Sequence, residues 1–222
     1  MRRRGWLRVT LDDMYTELDL YGFDDLDDDQ KLLLLNESYF DIATREPWPF
    51  LEAVASITVP AAQSQITNNA LVTGNVTNLN SVLSFIDTTN SITMTPERGD
   101  VIEKEYVVSA YTGTPTKYYF VGDELLVYPP TDSVINYRLY YTKTPVAATT
   151  TSDTFLIPAR HHSIIVYGAL VKAFLVNDDP QSAVFQNMFE SRYQQMRADV
   201  WMNQYDRPDY IGVITDSYDW SY

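Results

Sequence analysis

The stretch "IATREPWPFLEAVASITVP", Ile42 to Pro60, decides the fold. Before Pro47 the apolar residues recur at helical spacing, and from Ala53 the composition turns to Thr, Ser and Val, the residues of strands. Trp48 stands between Pro47 and Pro49 where the two patterns meet. Proline stops a helix, and a residue that precedes proline is pushed to extended backbone, so the chain leaves the helix in a fixed direction. Pro47, Trp48, Pro49 and Phe50 are therefore expected to form a seam where a helical body gives way to an inserted β domain, with the indole either wedged into that seam or packed as an ordinary core side chain after the helix stop.

Toward the amino end, Thr10 is placed to cap a first helix with Asp12 and Asp13 in its opening turn and Leu11, Met14 and Leu18 on one stripe, ending near Gly22. A second helix begins after the Asp27–Asp29 cluster and carries Leu32, Leu35, Tyr39 and Ile42 on one face. Leu33, Leu34 and Phe40 widen that face enough for burial on two sides.

Toward the carboxyl end, "SITVP" and "SVLSFID" read as strands separated by turn residues. Thr95 followed by Pro96 predicts the start of one short helix. In "KYYFVGDELLVYPP" two strand-favouring runs meet at Gly122-Asp123, the pattern of a two-residue hairpin. "SVINYRLYYTK" follows, with Ile135, Tyr137, Leu139 and Tyr141 on one face and Asn136 and Arg138 on the other. These three runs are expected to form a meander. After a connection over residues 142–154, residues 159–176 are apolar nearly all round, the mark of a central helix. Asp179-Pro180 then opens a long amphipathic helix with Phe185, Met188, Phe189, Met196 and Val200 as its stripe.

Helices, then strands, then helices define an α+β protein: an α-helical bundle formed by N- and C-terminal helices, with an inserted antiparallel β domain. The expected divisions are residues 1–52, 53–153 and 154–204, followed by an extended arm over 205–222.

Composition narrows the function. The net charge is −14, and "LDDMYTELDLYGFDDLDDD", Leu11 to Asp29, holds nine acids and no base. Such a surface repels phosphate backbones, which argues against gripping DNA. The acids read as solvated carboxylates at helix starts; a calcium loop would need the D-x-[DN]-x-[DN]-G spacing, which is missing. Without cysteine there is no disulfide, thiolate metal site or cysteine nucleophile. The longest apolar run, Ile164 to Val176, is interrupted by Lys172 and falls short of the ~20 residues a membrane span requires, so no membrane role is expected.

Site chemistry is sparse. His161 and His162 are adjacent and point in different directions on a helix, which suits a helix-start role better than joint ligation. Glu97, Asp100, Glu103 and Glu105 offer carboxylate pairs, but no motif fixes their separation. No phosphate-binding glycine loop occurs. The basic start, with Arg2, Arg3, Arg4 and Arg8 around Trp6, reads either as a plain terminal segment or as a contact for nucleic acid or an acidic protein face. At the other end, Tyr210, Ile211, Val213, Ile214, Tyr218, Trp220 and Tyr222 are too many apolar anchors for so short a non-periodic stretch to bury by itself, so docking on another chain is expected in preference to plain disorder.

Three stretches together, "REPWPFLEAVAS", "TGTPTKYYFVGDELLVYPPTDSVINYRLYYTKTP" and "DTFLIPARHHSIIVYGALVKAFLVNDDPQSAVFQNMFESRYQQM", resemble the head-to-tail adaptor, or connector, proteins of tailed bacteriophages. The resemblance implies a structural virion protein without catalysis or cofactor, made in the host cytoplasm and placed at the head-to-tail interface. It implies a ring of about twelve copies beneath the portal protein, holding a tail or nozzle protein while genome DNA passes through. On that footing the segment from Tyr205 to Tyr222 becomes the portal-binding arm and the Gly122 hairpin a surface for tail proteins. An acid-lined bore repels DNA in every register, which makes Asp24, Asp25, Asp27, Asp28 and Asp29 the expected lumen acids. The alternatives are a virion-associated cell-wall glycosidase using the acidic pairs, and a carbohydrate-binding virion module using the tyrosine-rich sheet.

Overall fold

A computed structural model describes residues 10–60, 65–66, 76–108, 112–121 and 124–205. The chain divides into two compact units, one of residues 1–50 and 145–222 and the other of Leu51–Thr144.

The first unit is helical. Helix α1, Leu11–Leu20, starts at a capping box in which Asp13 N donates to Thr10 Oγ1 at 3.2 Å while Thr10 N donates to Asp13 Oδ2 at 2.8 Å. Helix α2, Asp28–Arg45, repeats the device with Asp27 and Gln30. It buries a narrower stripe than the sequence predicts: Lys31, Leu35, Ser38, Tyr39, Ile42 and Ala43 face inward, whereas Leu33 is 59% exposed. The amphipathic Lys31 takes an inward position by running its stem along the core and pairing with Asp19 of α1 at 2.5 Å.

From the far end of the sequence come α4, Ser163–Val176, and α5, Gln181–Tyr205. Residues 159–161, expected in the same helix as 163–176, instead form a separate tight turn before it. Helix α4 is the central rod, buried on nearly every side. Gly168 sits where it meets its neighbours: a Cβ there would collide with Ser38 Oγ of α2 and come within 3.1 Å of the Phe189 ring of α5. Lys172 ties the same pair of helices together, 2.8 Å from Asp41 and 3.3 Å from Glu37. On α5 the inward stripe is Phe185, Phe189, Tyr193, Met196 and Val200. Met188, predicted on that stripe, is 37% exposed, and Tyr193 takes the place the apolar pattern assigned to it, because its ring is apolar even though its tip is polar. Asn36 holds the segment leading into the last helices by pairing both its amide groups with the backbone of Ala148, at 2.8 and 2.9 Å. The terminal segments thus form one helical body.

The second unit is built on two four-stranded sheets that close on a shared core. Its strands are β1 (Glu52–Val59), β2 (Gln65–Ile66), β3 (Leu79–Asp87), β4 (Ile92–Thr93), β5 (Thr95–Pro96), β6 (Lys117–Val121), β7 (Glu124–Tyr128) and β8 (Ile135–Lys143). One sheet runs β1-β8-β3-β4 and the other β2-β7-β6-β5; all pairings are antiparallel except β5 with β6. The alternation read in β8 holds: Ile135, Tyr137, Leu139 and Tyr141 are buried and Asn136 and Arg138 exposed. Phe85 stacks on Tyr137 at 4.7 Å and receives the edge of Tyr118 at 5.4 Å, joining the two sheets.

Two expectations are corrected here. The meander does not form: β6 and β7 pair as a hairpin in one sheet, while β8 lies between β1 and β3 in the other. Pro129 and Pro130 lack backbone donors and take the chain out of the ladder after β7, and the nine-residue β8 matches the eight and nine residues of β1 and β3. Thr95 and Pro96 do not begin a helix but pair along β6; helix α3 starts at Gly99 and runs to Val108. The Thr95 and Glu97 amides donate to Thr116 and Tyr118 carbonyls at 2.9 Å each, and Pro96 between them needs no donor, as strand pairing on an edge allows.

Candidate assembly surfaces

Helix α2 has two unlike ends. At its C-terminal end, Trp48 is fully buried, and its indole Nε1 donates to the Ile42 carbonyl at 2.8 Å, satisfying one of the acceptors a helix end leaves open. Its ring stacks on Phe50 at 5.4 Å and meets the edge of Tyr193 at 5.7 Å. Pro47, Trp48, Pro49 and Phe50 are the last residues of this segment of the helical unit, which gives way to the other unit at Leu51.

The residues just before this turn were missed by sequence reasoning. The Glu46 carboxylate, which follows the last turn of α2, accepts from Tyr193 Oη at 3.1 Å and Trp201 Nε1 at 3.2 Å and lies 2.8 Å from Arg197 Nε. Arg45 lays its guanidinium over the Phe189 and Tyr193 rings, 4.9 Å from each centroid, and lies 3.4 Å from Glu190. Burial, then the hydrogen bond and charge of Glu46, push the Tyr193 hydroxyl up to about 12. An open groove of about 440 Å³ beside this clamp is lined by Glu46, Arg197, Trp201 and Met202. No local signal marks Glu46 as a hub, since its partners lie some 150 residues along the chain.

At the other end, Asp24, Asp25, Asp27, Asp28 and Asp29 are all exposed. Asp27 caps α2 by accepting from Gln30 N at 2.7 Å, and Asp28 and Asp29 occupy the first turn, where the helix dipole favours them. Among the described residues, no group of three or more acidic or histidine side chains is placed to hold a metal ion.

Histidine chemistry is absorbed into packing. The Nε2 of His161 lies 2.8 Å from Asp199 Oδ2, which also accepts from Arg160 Nε at 2.6 Å, so the turn before α4 is stapled to α5. Burial holds the His161 imidazole below its ordinary value, against the pull of Asp199. His162 is buried, with Nε2 2.8 Å from the Ile157 carbonyl. The acidic pairs proposed for sugar hydrolysis are occupied where they are described: Asp100 accepts two bonds from Arg98 at 3.0 Å each, and Glu97 lies 3.8 Å from Lys117. The side chains of Glu103 and Glu105 lie outside the described residues, as do the Gly122-Asp123 turn and the segment carrying Tyr210, Ile211, Val213, Ile214, Tyr218, Trp220 and Tyr222.

A helical unit clamped by aromatic and charged side chains with an exposed acidic end, and a second unit of two packed sheets, are the features of a structural subunit. The model of the SU10 adaptor protein family matches residues 9–212, and the chain belongs to that family, a phage structural adaptor. Membership implies a place in the virion and association with other head and tail proteins and with copies of itself. No curated protein matches the chain. No helix among the described residues is long and apolar enough to cross a membrane.

Proposed function

We propose that this chain is the ring subunit that joins the portal protein of a tailed phage to its tail. About twelve copies would close head to tail, with genome DNA passing through the centre. The observation that carries this reading is the family match over residues 9–212, which takes in both arms of the helical unit and the whole β unit. In this arrangement the segment after α5 reaches the portal with its aromatic residues, the β6–β7 hairpin meets the tail or nozzle protein, and Asp24, Asp25 and Asp27–Asp29 face the bore. The acids suit that position because they are exposed and because fixed negative charge offers sliding DNA no favoured register. The seam residues Pro47–Phe50 hold the exit from the bundle.

Tyr205, expected to open the arm, is the last residue of α5, so the test is removal of residues 206–222. The shortened chain keeps its circular dichroism spectrum and thermal transition but loses binding to the portal protein in a pull-down. Unchanged portal binding would defeat the arm.

A further inference from the structure

Where α1 and α4 stop and α5 begins, the described residues of the helical unit expose apolar side chains. Tyr21 packs on Phe185 at 5.1 Å, and Phe185 stacks on Phe174 at 5.2 Å, so the three helix ends share one aromatic cluster. The residues bordering that cluster face solvent: Leu20 is 81% exposed, Val176 83% and Val184 57%. Single exposed apolar side chains are ordinary, but several around one ring cluster form the kind of patch that binds another chain. Glu17 lies half-buried beside Tyr21, with no hydrogen bond or ion pair among the described residues. Burial raises its carboxyl above the ordinary range, which a cation arriving from outside would reverse.

The sequence holds a segment of the complementary kind. "MRRRGWLRV", residues 1–9, which lie outside the described residues, carries four of the chain's sixteen bases, interleaved with Trp6, Leu7 and Val9. Identical subunits of charge −14 repel one another unless a local contact of opposite sign offsets that repulsion. A ring contact also joins two different patches of the same chain, one on each copy. The basic and apolar segment and the acidic and apolar helix ends are such a pair.

We propose that residues 1–9 of one copy dock on the end of the helical unit of the next, with Trp6 among Leu20, Tyr21, Val176 and Val184 and an arginine on Glu17. This rests on the ring reading above and names one of its contacts. It uses Glu17 and not Asp24–Asp29, so the contact and the bore compete for no residue.

The test places a photo-crosslinking amino acid at Trp6 in the full chain, maps the products by mass spectrometry and follows self-association by sedimentation velocity. Expected are cross-links between copies to residues 17–21 and 176–185, and at least tenfold weaker self-association in Glu17→Lys and in Val176→Asp. Raising salt weakens self-association as well, and reversing Arg3 and Arg4 to Glu on the Glu17→Lys chain restores part of it. Cross-links confined to one chain, cross-links to another region, or self-association indifferent to all these changes overturn the proposal. A particle map that still shows a ring of this chain would then leave the ring reading standing, whereas a map without one removes both.

Discussion

The two ends of α2 both carry charged side chains and are treated oppositely by the fold. At the C-terminal end Arg45 and Glu46 are drawn into contacts with α5, and Trp48 closes the turn behind them. At the N-terminal end Asp28 and Asp29 are exposed in the first turn of the helix, where the dipole favours them, and Asp27 is held in its own capping box. The difference teaches where this subunit spends charge on holding itself together and where it leaves charge over for something outside.

Mutations at the two ends should separate the roles. The largest effect is expected for Trp48→Ala, which removes a fully buried ring and leaves the Ile42 carbonyl without its donor: a loss of about 3–5 kcal/mol, read by urea denaturation. Glu46→Ala strands Tyr193, Trp201 and Arg197 together and should cost about 1–3 kcal/mol in the same measurement. If Glu46→Ala is neutral, the clamp is geometry without energy. Gly168→Ala forces apart the α2–α4 contact at Ser38 and should cost about 1–3 kcal/mol, measured as a lowered Tm. The weakest effects belong to the acidic end: Asp27→Ala loses a cap worth about 1 kcal/mol. Asp24→Asn and Asp25→Asn should stay within about 0.5 kcal/mol of the parent. A large loss from Asp24→Asn or Asp25→Asn would mean that this end too is structural.

The clamped end also has a pH signature. Tyr193 is held protonated in the folded state up to about 12, above its ordinary value of 10.0, so the folded chain binds this proton more tightly than the unfolded one. The stabilisation is complete below pH 10 and is lost as pH rises toward 12. Tyr39, raised by burial to about 12, adds to the same window. Tyr193→Phe should flatten the loss in a pH series of thermal melts, and Asp25→Asn should leave it unchanged.

What the sequence made legible was what is decided locally. Thr10 announces the first helix start, and the burial of alternate residues in β8 follows from a period of two; the second helix, expected after the Asp27–Asp29 cluster, starts at Asp28 with Asp27 as its cap. The order of strands was not legible, because β8 chooses β1 and β3 across long stretches of chain instead of the hairpin beside it. The Thr95–Pro96 pattern misled for the same reason: a parallel partner in β6 outweighed a helix-start signal. At the candidate surfaces, the burial of Trp48 could be expected from its size, but Glu46 and Arg45 read as ordinary helix-end charges until α5 folds back over them.

The most direct test is a cryo-electron microscopy map of this chain assembled with its portal and tail proteins. The account predicts a closed ring in which Asp24, Asp25 and Asp27–Asp29 line an acidic bore and residues 206–222 lie on the portal. A basic bore, or a carboxyl segment folded back into its own subunit, would contradict it.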